Sequence, residues 1–227
     1  MLVTTKIHQW KNKLNIFTKF ILQAKKPSGL LGLQIARLMN LAHNKLTNWG
    51  LSYLDIKEDD TILDIGCGGG KTVNKLAQLA GKGKVFGIDF SDVSVKLSSK
   101  LNRYYINLGK VDIQKASVSS LPFPDNFFDI VTAVETYFFW PSLEKDIKEV
   151  LRVIKPGGKL LIVSEAYKNS RNEKSINKWS TILNTKDLMQ YQTKEEFRQT
   201  FINAGYKEVE IYEHITHGWI CGIGTRL

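Results

Sequence analysis

Short apolar runs alternate with amphipathic stretches over most of the chain. From residue 59 onward, runs rich in valine and isoleucine are followed by stretches with apolar residues every three or four positions. The first pattern is typical of buried parallel strands and the second of helices that cover a sheet. We therefore predict strands near 61–65, 84–89, 111–116, 128–134, 158–164, 206–213 and 218–225. Helices are predicted near 71–80, 92–107, 142–154 and 194–204.

Two further helices are predicted before this alternation begins. Apolar residues recur at helical spacing over residues 6–25, with lysines between them, and Pro27 and Gly29 end that pattern. A second helical stretch runs from Leu30 to Trp49. The sequence thus predicts a helical cap over residues 1–54, and an α/β domain with a doubly wound parallel sheet over residues 55–227.

Glycines follow the first strand of the predicted sheet. Gly66, Gly68 and Gly70 precede the helix near 71–80, and the next strand ends on Asp89. Glycine permits positive φ and lets a ligand lie against the main chain, while the start of a helix offers unpaired N–H groups. A carboxylate at the end of the second strand accepts hydrogen bonds from a ribose in such folds. The pattern predicts a nucleoside-binding site.

The glycine spacing excludes two common nucleotide-binding loops. The dinucleotide pattern G-x-G-x-x-G would need its third glycine at Lys71, and the pattern G-x-x-x-x-G-K-[ST] would need its first glycine at Ile65. The chain instead reads D-x-G-x-G-x-G from Asp64 to Gly70.

At these residues the chain resembles the class I S-adenosylmethionine-dependent methyltransferases. Residues 120–131 resemble that family's L-P-F-x-D-x-x-F-D-x-V segment, and residues 151–160 resemble its L-R-V-L-K-P-G-G turn. The nearest branch acts on small molecules and includes the ubiquinone and menaquinone C-methyltransferases. The resemblance implies a Rossmann-like, mostly parallel seven-stranded sheet whose last strand is antiparallel, with a lid insertion near 166–192. It also implies S-adenosyl-L-methionine as the cofactor and S-adenosyl-L-homocysteine as the product.

The resemblance further implies roles for individual residues. The methionine end of the cofactor is expected to bind at Asp64, Gly66, Cys67, Gly68 and Gly70. Asp89 is expected to accept the ribose hydroxyls, and Phe90 to pack on the adenine. Ser117 stands where the family often has an aspartate that contacts the adenine amino group, and the backbone N–H of Val118 is expected to meet the ring.

The candidate catalytic residues are Glu135, Tyr137 and His43. Glu135 follows the fourth strand and precedes four consecutive aromatic residues, which predicts an apolar wall around a sulfonium, although packing in the core competes with that interpretation. Glu165 and Tyr167, after the fifth strand, are expected to converge with them. His43 is a candidate base on the second helix, where a structural role competes. No metal-ligand spacing is present, so no metal is predicted.

The net charge of +10 is concentrated near the N-terminus, where eight basic residues precede Asp55, the first acid. Nucleic acid, an anionic surface or an acidic substrate could meet such a segment, and a solvated helix face is the simplest interpretation. The [DN]-P-P-[YF] motif, which amino-group nucleic-acid methyltransferases carry after the fourth strand, is missing at residues 135–138. Two cysteines, no apolar span and no secretory pattern predict a cytoplasmic protein.

The sequence therefore predicts a methyltransferase for a small-molecule acceptor, with no nucleic-acid partner and with peripheral contact to an anionic surface left open. The alternatives are an RNA methyltransferase, which the basic segment suggests, and a non-catalytic S-adenosylmethionine-binding protein, which the departure at Ser117 suggests.

Overall fold

The computed structural model describes residues 22, 23, 25–173 and 191–227. Most of the predicted helix over residues 6–25 and most of the predicted lid insertion near 166–192 lie outside the described residues. Within them, the strands are β1 Thr61–Ile65, β2 Lys84–Asp89, β3 Val111–Lys115, β4 Phe128–Val134, β5 Ile154–Ser164, β6 Lys207–His214 and β7 Trp219–Thr225. The helices are α1 Gly29–Ala42, α2 Asn44–Leu51, α3 Lys71–Leu79, α4 Asp92–Leu101, α5 Arg103–Asn107, α6 Leu143–Val153 and α7 Lys194–Ala204.

The seven strands form one sheet in the order β3-β2-β1-β4-β5-β7-β6. Strands β1 to β5 pair in parallel, and β7 pairs antiparallel with both β5 and β6. Strand order reverses after β3, which returns the chain from the β3 edge to β4 beside β1. Ligands bind at such a reversal, outside the carboxyl ends of the strands. The predicted doubly wound, mostly parallel seven-stranded sheet is confirmed.

Neighbouring residues along the central strands point to opposite faces of the sheet, and both faces are buried. In β1, Leu63 belongs to the large apolar cluster that also contains Phe197 of α7, whereas Ile62 packs in the cluster with Leu76 of α3. Both faces are covered by helices, which explains why the strands read as continuous apolar runs instead of alternating.

Two helices predicted as continuous are each broken at a polar residue. The stretch over 92–107 divides at Asn102, whose side-chain amide donates to the carbonyls of Ser98 at 3.0 Å and Gly70 at 2.9 Å. The stretch over 30–49 divides at His43, between α1 and α2. Local side-chain hydrogen bonds compete with the helical ladder at such residues. Strand β5 also begins four residues earlier than predicted, with a register irregularity opposite Phe128–Ile130.

Helices α1 and α2 have different neighbours although both belong to the predicted cap over residues 1–54. Leu46 of α2 is 1% exposed and packs with Leu161 and Val163 of β5. Ser91, at the start of α4, donates from Oγ to the carbonyl of Pro27 at 2.6 Å and so ties the start of α1 to the domain. The described part of the cap therefore shares the core of the sheet, and the division into two domains stays a prediction.

Candidate active site

A cavity of about 630 Å³ lies at the carboxyl ends of the parallel strands, beneath α1. Nine predicted site residues line it: His43, Gly66, Cys67, Gly68, Asp89, Phe90, Ser117, Val118 and Glu135. Three others, Asp64, Gly70 and Tyr137, do not lie on its wall. Most of the site residues predicted from the motifs therefore lie on one cavity wall.

The turn after β1 keeps its backbone against the cavity because two glycines adopt positive φ there. Gly66 has φ 70° and Gly68 has φ 52°. A side chain at Gly66 would overlap Thr136, whereas one at Gly68 would meet no atom closer than the Gly66 carbonyl at 3.9 Å. Open space beside Gly68 means that a ligand can approach its main chain directly. The local geometry fits the cofactor that the resemblance implies.

Gly70 has a packing role, and its contact with the cofactor stays a prediction. It caps the N-terminus of α3 with φ 84°, and its carbonyl accepts from the Asn102 amide. A side chain there would overlap Ser98 and lie 2.6 Å from Asn102 Nδ2. The third glycine therefore allows helix α4 to approach the loop.

Asp64 lies behind the loop and not on the cavity wall, and its contact with the cofactor stays a prediction. Its side chain is 2% exposed and accepts a 2.7 Å hydrogen bond from Oγ1 of Thr132 on β4. Burial raises the pKa of the Asp64 carboxyl to about 7. This contact ties β1 to β4 directly beneath the glycine turn.

The Asp89 carboxylate, at the end of β2, is fixed in place by two backbone hydrogen bonds. Oδ2 accepts from the N–H of Gly68 at 3.0 Å and Oδ1 accepts from the N–H of Ser91 at 2.8 Å. Burial raises the pKa of this carboxyl, and the two backbone hydrogen bonds oppose that shift. Each oxygen keeps further lone-pair capacity toward the cavity, as a ribose diol would require.

The region expected to receive an adenine is formed by two segments. Phe90 is 38% exposed, and Lys26 Nζ lies 5.6 Å from the centre of its ring. Ser117 and Val118 also line the cavity, and Ser117 Oγ accepts from the N–H of Ser119 at 3.2 Å. The hydroxyl that replaces the family's usual aspartate is therefore partly engaged in its own turn.

Three titratable groups from different elements meet at the acceptor end of the cavity. Glu135 has φ 57°, and its carboxylate accepts from the N–H of Glu165. His43 Nε2 lies 3.9 Å from Oε1 of Glu165. Burial, aided by the nearby Glu165 charge, raises the pKa of Glu135 to about 8. Burial also lowers the pKa of His43, against the opposing effect of Glu165. At neutral pH, Glu135 therefore holds a proton and His43 is uncharged.

The same three side chains could in principle hold a metal ion. One ligand atom from each of His43, Glu135 and Glu165 lies within 4.8 Å of the other two. Imidazole and carboxylate oxygens suit several divalent metals. The Glu165 N–H already donates to one oxygen of Glu135, and His43 lies near the Glu165 carboxylate, so these contacts explain the cluster without a metal ion. The absence of a metal stays a prediction.

Tyr137 lies in the core, which corrects its predicted catalytic placement. It is 1% exposed, in a 3₁₀ turn over Tyr137–Phe139, and its ring is 5.2 Å from that of Phe197. Burial raises the pKa of its phenol. The other three aromatic residues of the run, Phe138, Phe139 and Trp140, do line the cavity. Tyr167, also expected at the site, instead donates to Glu213 at 2.6 Å.

Sequence reasoning missed the polar residues that α1 and the β4 turn add to the cavity. Asn40 reaches the glycine turn so closely that a side chain on Gly69 would overlap it. Thr136 lines the cavity and donates from Oγ1 to the carbonyl of Ile65 at 3.3 Å. The position of Thr136 next to Glu135, after the fourth strand, could have indicated that it lines the cavity. No local sequence pattern marks Asn40.

Comparison with known proteins agrees with this geometry. A family model described as a methyltransferase domain matches residues 63–162. The uncharacterized methyltransferase YdaC of Bacillus subtilis is 29% identical over 128 residues, which cover 56% of this chain and 68% of YdaC. The ubiquinone/menaquinone biosynthesis C-methyltransferase UbiE of Salmonella arizonae is 33% identical over 48% of this chain. These matches show that the chain is a methyltransferase, and it resembles the class I S-adenosylmethionine-dependent enzymes.

The match to the quinone enzyme spans 43% of that protein's length. A solved S-adenosylmethionine-dependent methyltransferase from Aquifex aeolicus superimposes with a TM-score of 0.70 at 22% identity, covering 86% of this chain and 98% of that one. At that identity the likeness concerns the fold. S-Adenosylmethionine is the cofactor of this methyltransferase, and its acceptor requires a separate argument.

Proposed function

We propose that this methyltransferase transfers the methyl group of S-adenosylmethionine to a small-molecule acceptor. The observation that carries the proposal is the single cavity of about 630 Å³, in which the glycine turn and an aromatic wall are continuous beneath α1. Pockets for small ligands have volumes of about 300 to 1,000 Å³. The proposal includes a reduced, cytoplasmic setting, where free Cys67 and Cys221 would persist as thiols.

The residues of the cavity have distinct tasks in this proposal. Gly66 and Gly68 offer main chain to the methionine end of the cofactor, and Asp89 accepts its ribose hydroxyls. When bound, the cofactor supplies a methyl group already activated on a sulfonium. The aromatic wall of Phe138, Phe139 and Trp140 excludes water and favours a positive charge. Alignment of the acceptor is then the main requirement for reaction.

Proton handling falls to His43 and Glu135. Neutral His43 lies on the cavity wall and can take a proton from a hydroxyl or amine of the acceptor as the methyl group is transferred. The imidazolium that forms would lie next to the Glu165 carboxylate, 3.9 Å away. Protonated Glu135 can donate a hydrogen bond to an acceptor oxygen, and it adds no negative charge to an apolar pocket.

An RNA substrate is the main alternative because the net charge is +10. Against it, the Glu165 carboxylate lies 3.9 Å from His43 at the edge of the cavity and would oppose a phosphate there. An RNA polymer would also have to reach a cavity that is lined by aromatic rings and covered by α1.

Among the described residues, no helix is long and apolar enough to cross a membrane.

The experiment is an S-adenosylhomocysteine release assay with a panel of quinols, phenols, amines and thiols, and with bulk RNA in parallel. We expect turnover with at least one small acceptor that is nearly independent of salt and of added RNA. Methylation of RNA, or strong inhibition by RNA that salt relieves, would instead support the nucleic-acid alternative. Cofactor binding with no turnover on either class would favour a non-catalytic binding protein.

A further inference from the structure

Helix α1 is apolar on two opposite sides. One side faces the domain, where Ile35 and Ala36 are each 3% exposed and Met39 lines the cavity. The other side carries four exposed leucines, which we call the leucine face: Leu30 (84% exposed), Leu31 (56%), Leu38 (58%) and Leu41 (67%). At 3.6 residues per turn, these four positions fall within an arc of about 100°. A helix that only covered the cavity would need a single apolar side.

Four exposed leucines on one side of a helix, with exposed Gln34 among them, indicate a partner. Single exposed leucines are ordinary on protein surfaces, but a row of them on one helix marks an interaction site. The charged residues that lie on α1 or next to it in the chain are basic: Lys26, Arg37 and Lys45 are exposed, and no aspartate or glutamate precedes Asp55. The partner should therefore be apolar and negatively charged at once.

These two requirements select among the occupants. A second copy of the chain would bring another net charge of +10 against the same face, which disfavours self-association. An anionic bilayer provides hydrocarbon for the leucines and lipid phosphates for the lysines and arginine, whose aliphatic stems can extend toward the headgroups. Leucines on one face with basic residues beside them are typical of helices that lie in the membrane interface.

We propose that the leucine face of α1 docks the protein reversibly on an anionic lipid bilayer. Because the opposite side of α1 lines the cavity, docking holds the cavity within about one helix diameter, ~10 Å, of the lipid surface. The helix lies on the surface and does not cross it. An acceptor dissolved in the bilayer would then have a short path to the site, although docking itself does not depend on the identity of the acceptor.

The test is sedimentation of the protein with sucrose-loaded vesicles of phosphatidylcholine alone or mixed with anionic phosphatidylglycerol, whose negative surface potential attracts basic segments. We expect binding to the mixed vesicles that weakens with salt. The variant Leu38→Gln/Leu41→Gln should bind at least about tenfold more weakly, since buried apolar area sets the strength of such helices. Removal of the charges in Arg37→Gln/Lys45→Gln should also weaken binding to the anionic vesicles.

A matched control removes exposed apolar surface elsewhere. Leu108 is 62% exposed and Ile202 is 44% exposed, so Leu108→Gln/Ile202→Gln should bind vesicles like the wild type. Circular dichroism and S-adenosylhomocysteine affinity report whether each variant is folded. Vesicle binding that survives in the folded leucine variant would overturn the proposal. Absence of vesicle binding by the wild type, or a concentration-dependent dimer that the leucine variant abolishes, would also overturn it.

Discussion

Replacement of Glu135 by glutamine tests whether the acceptor end of the cavity holds a neutral carboxyl. Glutamine has the shape of glutamic acid, and its amide oxygen can still accept from the Glu165 N–H. Burial is the main cause that raises the pKa of Glu135 from 4.5 to about 8, and the Glu165 charge adds to it. A shift of that size corresponds to roughly 3 to 5 kcal/mol of differential free energy between the two protonation states.

The sign of the effect follows from proton binding. Between the unfolded and the folded pKa, the native state holds a proton that the unfolded state has released, so stability falls as pH rises. The contribution of Glu135 is fully present below about pH 4.5 and is lost as pH passes through about 8. Glutamine does not titrate, so Glu135→Gln does not show this loss of stability as pH rises. The variant should therefore match the wild type near pH 5 and exceed it by about 3 to 5 kcal/mol near pH 9.

The assay is urea unfolding followed by circular dichroism at pH 5, 7 and 9. The Glu135 charge also acts on neighbouring groups such as Tyr137 and Tyr191, so the difference between the two curves reports Glu135 together with the groups coupled to it. Glu144→Gln removes an exposed carboxylate of α6 and serves as the control. Glu165→Gln should move the loss of stability to lower pH, because it removes the neighbouring charge. Parallel curves for wild type and Glu135→Gln would refute this reasoning.

Three further predictions concern the glycine turn and its supports. Asp89→Asn should weaken S-adenosylhomocysteine binding in calorimetry by about 1.5–3 kcal/mol, because a buried charged acceptor is lost; unchanged affinity would refute the ribose assignment. Gly68→Ala should reduce that affinity and lower the free energy of unfolding by about 1–3 kcal/mol because of its positive φ. Gly70→Ala should destabilise the protein more, because its side chain would in addition overlap α4. If the two variants behave alike, their opposed orientation is wrong. Arg152→Lys should lower the free energy of unfolding by about 1–2 kcal/mol in urea, since lysine cannot reproduce the guanidinium's several hydrogen bonds.

The Arg152 prediction rests on a link between two motifs of the family. Its guanidinium donates to the carbonyls of Leu121 at 3.1 Å and Phe123 at 2.9 Å, and it pairs with Asp125 and Glu149. The segment 120–131 and the segment 151–160 are thus joined by one side chain. Arg152 positions the chain that follows Ser117 and Val118, and it does not touch the cavity wall.

The sequence by itself determined the elements and the part of the site that is local to them. Strand β1 and strand β2 were predicted within their observed bounds because apolar runs ended by glycine or aspartate have few other structures available. Asp89 and Gly68 were placed at the cavity for the same reason, since the carboxyl ends of parallel strands meet at one edge of a sheet. Strand bounds and the residues at strand ends depend on a short stretch of chain, so they can be predicted from local sequence.

Tertiary structure decided which side of each turn a residue faces. Gly70 and Asp64 belong to the same motif as Gly68, yet they face α4 and β4 because those elements pack behind the loop. Tyr137 and Phe138 are adjacent, yet only Phe138 reaches the cavity.

Contacts between distant parts of the chain lay equally outside local patterns. His43 comes from the break between α1 and α2, and Glu135 and Glu165 come from the ends of β4 and β5, so only the assembled fold establishes their contacts. The shifted pKa values of His43 and Glu135 arise mainly from burial, which the assembled fold produces and no single segment possesses. The leucine face follows the same logic, because the sequence of α1 is apolar on two sides and only packing decides which side remains exposed.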